Sequence, residues 1–131
     1  MDKKMNNEKN QDKFSSIEEF ELFVEQIRSE YNNNQDDLAL ALRYIDIIKA
    51  LVSTKEPQNT SELNKIIKEI RVIYSKHSES KDIAKRCMVI LFLLSYGRDD
   101  NSYFVKIYET ARLVSDKWLG SEEVMELYIT I

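Results

Sequence analysis

Few residues in this chain could carry chemistry, and they are poorly placed to act together. One histidine, His77, lies in the polar run SKHSES, and one cysteine, Cys87, lies on an apolar stripe. A Ser-His-Asp or Cys-His catalytic set would have to use His77, and a histidine-rich zinc site or a cysteine metal cluster has too few ligands. His77 reads as a solvated loop residue and Cys87 as a small core residue. Carboxylates are plentiful: Glu18, Glu21 and Glu25 lie on the outer face of the first helical segment, and Glu122, Glu123 and Glu126 open the last. Acidic groups near a helix N-terminus favour the macrodipole, and the pattern shows no apolar burial that would mark a catalytic pair. None of GxxxxGK(S/T), GxGxxG, HExxH or CxxC occurs. Those motifs carry nucleotide, dinucleotide, zinc and redox chemistry. The expectation is a protein that is not an enzyme and takes no cofactor and no metal.

The elements that must position any site are read from composition first. The chain has 131 residues, of which 43% are hydrophobic and 32% charged, with two Gly and one Pro. That balance fits one globular domain, and so few turn-forming residues argue for helices over sandwiches or barrels. A net charge of −4 offers phosphate backbones and anionic lipid no general attraction, so nucleic acid is not an expected partner. Cys87 to Leu94 is the longest apolar run, far below the ~20 residues that span a bilayer, so no membrane contact is expected. Residues 1–14 read as a disordered polar tail with no signal-peptide core, and the lone cysteine suits a reducing compartment. The expected location is the cytoplasm.

A pattern of roughly 42 residues recurs three times. Phe20, Phe23, Val24, Ile27, Arg28 and Tyr31 match Leu63, Ile66, Ile67, Ile70, Arg71 and Tyr74. A looser third copy runs through Phe104, Ile107, Tyr108, Ala111, Arg112 and Ser115. The spacing i, i+3, i+4, i+7 is one stripe of an amphipathic helix, here helix A. After a polar linker comes helix B, where Leu38, Ala39, Leu42 and Ile45 match Ile83, Ala84, Cys87 and Ile90, then Val124, Met125, Tyr128 and Ile131. Ser16 with Glu19, Asn59 with Glu62, and Ser121 supply start signals. EPQNT and YGRDDN supply stops. Six helices are predicted, over about 16–31, 35–53, 60–76, 81–96, 101–116 and 121–131. Where the first A helix has Ser29 and Glu30, the later ones have Val72 and Ile73, then Leu113 and Val114. The second B helix is apolar nearly all round. That is the pattern of a polar first unit followed by units flanked on both sides.

A two-helix hairpin repeating every 41 to 43 residues resembles the HEAT and armadillo class of α-solenoid, whose unit is about 40–47 residues. Tetratricopeptide repeats, with a period of 34, fit less well. The resemblance covers residues 16–131 and is one of architecture. It implies an all-α, short right-handed stack of three helical hairpins, with repeats at about 16–57, 58–100 and 101–131 inside one domain, 15–131. A compact helical bundle is the alternative.

The function expected of such an object is a non-catalytic protein-protein interaction module. Its partner surface is expected at Arg43, Tyr44, Asp46 and Lys49, continued by Lys85 and Arg86. A small acidic bacterial or phage inhibitor, such as an immunity protein that blocks a basic target, is the alternative. The last B helix ends on ELYITI with no polar cap, so Leu113, Val114, Val124, Leu127 and Ile129 are expected to be covered by a second subunit, making a homodimer, or by a partner; the alternative is that this helix folds back and closes the core of a compact bundle. Arg28, Arg71 and Arg112 fall at one place in each A helix, either as a ladder for an acidic peptide or as partners of carboxylates between repeats.

Overall fold

The computed structural model describes residues 16–54, 60–95 and 101–130. The polar tail, the EPQNT and YGRDDN stops and the Asn59 cap fall wholly or largely outside them. All regular structure in the described residues is helical: α1 (Ile17–Asn32), α2 (Leu38–Thr54), α3 (Thr60–Lys76), α4 (Lys81–Ser95), α5 (Asn101–Lys117) and α6 (Glu122–Thr130).

Local chemistry sets these borders. Ser16 accepts the Glu19 N–H at 3.1 Å and starts α1. Ser121 accepts the Val124 N–H at 3.3 Å and starts α6. Two further caps act in the same way. Asp37 accepts from the Leu40 N–H at 3.1 Å, and Ser80 accepts from the Ile83 N–H at 3.2 Å. Asp37 is why α2 starts at Leu38 and not near 35: its side-chain acceptor satisfies a first-turn donor only from the position just before the helix.

Every packed pair of helices is one or two apart in chain order among the described residues. Each helix packs on its hairpin mate, and α2 with α4, α3 with α5 and α4 with α6 pack between hairpins. The backbone of α1 packs against α2 alone. Helix α4 touches α2, α3, α5 and α6, and buries Ile83, Ala84, Cys87, Met88, Ile90, Leu91 and Leu94. Its all-round apolarity therefore has a packing reason, since burying each large side chain is worth roughly 1.5–3 kcal/mol. Cys87 is fully buried, which pushes its thiol pKa well up. Ile73 and Val114 are buried at the position where α1 has exposed Glu30. Val72 and Leu113, beside them, stay exposed, so only half of the second apolar face expected on the later A helices is covered.

His77 is not a freely solvated loop residue. Its Nε2 lies 2.7 Å from the carbonyl of Gln35, joining the α3–α4 turn to the α1–α2 turn. A carbonyl only accepts, so Nε2 carries the hydrogen.

Candidate functional site

The outer face of α2 is built from every third residue of that helix, Arg43, Asp46 and Lys49, opposite the buried row Ala41, Ile45, Ile48 and Val52. Arg43, Asp46 and Lys49 are exposed. Arg86 of α4 donates from Nε to Asp46 at 2.9 Å and from a terminal nitrogen to the Asp82 carbonyl at 3.3 Å. Lys81 and Lys85 both reach Glu123 of α6, at 2.7 and 2.8 Å. Hydrogen bonds from these two ammonium groups hold the Glu123 carboxyl down at about 2. Solvent-exposed pairs of this kind add little to stability. Their clearer consequence is that Lys85 and Arg86 are already engaged, whereas Arg43 and Lys49 have no partner among the described residues.

Tyr44 is not on that face. It is 2% exposed, stacks on Tyr31 with ring centroids 5.2 Å apart, and turns its hydroxyl into a polar knot between helices. Arg28 of α1 donates from Nε to the Tyr44 hydroxyl at 2.8 Å and to Glu69 of α3 at 2.7 Å. A second nitrogen reaches the other Glu69 oxygen at 3.2 Å, and a third pairs with Glu25. The Tyr44 hydroxyl in turn donates to Glu69. Burial opposes the charge on Arg28, but its bonds to Glu69, Glu25 and Tyr44 outweigh burial and raise its pKa further. Burial and the Glu69 carboxylate together raise that of Tyr44. Every member is satisfied, so the knot ties α1, α2 and α3 together.

The equivalent arginine makes the equivalent contact. Arg71 of α3 donates from Nε to Thr110 of α5 at 2.9 Å. Glu69 and Thr110 each stand two residues before the arginine of their own helix, so one reach from hairpin to hairpin is made twice. Of the two readings of the arginines, these two follow the pairing one, although the second acceptor is a hydroxyl. Arg112 has the same place on α5, is exposed, and meets no further hairpin among the described residues.

The apolar set named at the C-terminal end does not form one exposed face. Val114 and Val124 are fully buried in the chain's own core, and Leu127 packs partly buried against it. Leu113 and Ile129 are 50% and 79% exposed. Two further apolar residues of α5 are exposed: Val105, which lies off the stripe, and Tyr108, which the repeat places on it. Tyr108 stacks on Tyr128 of α6 at 5.7 Å and their hydroxyls are hydrogen-bonded at 2.8 Å.

A cleft of about 290 Å³ opens where α1 and α3 diverge, floored by Val24, Leu51 and Ile66 and rimmed by Glu21, Glu25, Glu62, Lys65 and the Arg28–Glu69 pair. Among the described residues no group of three His, Cys, Asp or Glu side chains is placed to hold a metal. No described helix is long and apolar enough to cross a membrane. Comparison with protein families, with curated proteins and with solved structures finds no match to this chain.

Proposed function

We propose that this chain is a non-catalytic protein-interaction module, three helical hairpins stacked as a short α-solenoid of the HEAT and armadillo kind, that binds a partner protein through the outer face of α2 and α4. Support for the stack comes from the arginine contact that recurs from α1 to α3 and from α3 to α5, and from packing confined to near neighbours in chain order. In a repeat array each unit meets only the next, which leaves a continuous outer surface for binding.

The observation that carries the binding surface is the pair of exposed cations Arg43 and Lys49, without a side-chain partner among the described residues, beside Asp46–Arg86. A partner presenting carboxylates to this row is the complement. Arg43→Ala, Asp46→Ala and Lys49→Ala in one chain leave the core untouched. Affinity capture with quantitative mass spectrometry should enrich a protein on the native chain that is lost from the triple variant, at equal helicity. Equal recovery by both rejects this face, and no enriched protein on the native chain rejects the module.

A further inference from the structure

We propose that the face of the third hairpin turned away from the second is a self-association surface, on which a second copy of this chain packs α5 antiparallel to α5 across a two-fold axis. The direction of each side chain follows from the contacts that its helix makes with the second hairpin. Thr110 and Lys117 are the α5 residues that reach back to the second hairpin, to Arg71 and Glu79. At 100° per residue, Tyr108, Arg112 and Val105 lie on the opposite side of that helix. On α6, Glu123 reaches back to α4, and Met125 and Ile129 lie on the side away from it. The result is an apolar face that is 57% exposed at Val105, 52% at Tyr108 and 79% at Ile129, with Arg112 among them.

Charge selects the occupant. In the two earlier hairpins the arginine at this place reaches an acceptor on the neighbouring A helix, a carboxylate in one case and a hydroxyl in the other. Arg112 is flanked on its own helix by exposed Glu109 and Asp116, three residues before and four after. Antiparallel pairing about an axis midway between Glu109 and Arg112, or midway between Arg112 and Asp116, sets each Arg112 across from that acid on the second copy, so opposite charges meet on both halves of a self-complementary patch. Head-to-tail stacking would instead set Arg112 against Gln26, which stands on α1 where Glu69 and Thr110 stand on α3 and α5, and would supply only a neutral amide.

Size sets the strength. A 17-residue helix is about 25 Å long, and two helices side by side are about 20 Å wide, giving roughly 500 Å² per copy. That lies below the ~800 Å² per partner of a standard interface, so the dimer is a weak one.

Sedimentation equilibrium from about 5 to 500 μM should show a monomer-dimer equilibrium with a dissociation constant of about tens of micromolar. Arg112→Glu should raise that constant at least about tenfold with unchanged circular dichroism, and so should Ile129→Asp. Glu109→Arg with Asp116→Arg should do the same. Mixing that chain with Arg112→Glu should restore a dimer containing one of each, because the swapped charges are again complementary. A native chain monomeric at 500 μM overturns the proposal. Species that grow beyond a dimer, an Arg112→Glu chain that dimerises as before, or a failed restoration on mixing also overturn it.

Discussion

Removing the guanidinium of Arg28 tests how hairpins are tied together, and the cost can be worked from the contacts. Arg28→Met keeps the apolar stem and deletes the charged head. It leaves the Glu69 carboxylate and the Tyr44 hydroxyl facing each other without their cation. Breaking a fully buried pair costs about 3–5 kcal/mol. Here the side chains of Arg28 and Glu69 keep 15% and 19% of their exposure, so water solvates part of the orphaned carboxylate. The expected loss is about 2–3 kcal/mol. Arg71→Met is the built-in control. It removes one bond to a neutral hydroxyl that still donates to the Lys106 carbonyl at 2.9 Å, and should cost about 0.5–1 kcal/mol. Urea unfolding followed by circular dichroism reads both, and with a slope near 1–1.5 kcal/mol/M the Arg28 variant should lose about 1.3–3 M of midpoint. A double-mutant cycle with Glu69→Gln should give a coupling above about 1 kcal/mol. If Arg28→Met costs no more than Arg71→Met, or the coupling vanishes, the knot is not what ties α1 to α3.

Two other groups give sharp readouts. The Glu123 carboxyl should titrate near pH 2 by NMR instead of near its ordinary 4.5, and should return there in the Lys81→Ala, Lys85→Ala chain. Its folded pKa is the lower one, so its ion pairs support the fold above pH 4.5, and that support fades as pH falls toward 2. Cys87, buried and with its thiol pushed up, should resist an aromatic disulfide reagent in the native chain and react as urea opens the fold; fast native labelling would contradict its burial.

The helices are legible in the sequence because apolar residues at i, i+3, i+4 and i+7 have one good way to be buried, and because Ser16 and Ser121 are chemically committed to caps. The place of α4 is legible for a similar reason, since the apolar run Cys87 to Leu94 goes all round the helix and cannot be covered from one side. What a stripe does not specify is where it points relative to the next hairpin. Tyr44 stands directly after Arg43 of the row Arg43–Asp46–Lys49 and looks like its neighbour, yet one residue is 100° of helix, enough to turn it onto Tyr31. Val114 and Val124 look alike with Leu113 and Ile129 as apolar residues near the chain's end, but α4 packs against both α5 and α6 and covers the two valines. The Arg28–Glu69 pair could have been found, because Glu69 and Thr110 recur at one distance from Arg71 and Arg112. That requires reading the polar positions of the repeat as carefully as the apolar ones.

The proposed stack puts the three hairpins in a row. Positions 36, 81 and 122 are exposed and equivalent in the three hairpins, and Cys87 is too buried to take a label. Spin labels at Asp36→Cys, Lys81→Cys and Glu122→Cys, placed two at a time, give three distances by pulsed electron resonance. With helix axes 8–10 Å apart, a row makes the distance from 36 to 122 about twice each of the other two. Three equal distances would mean that the helices close into a bundle, and would contradict the stack.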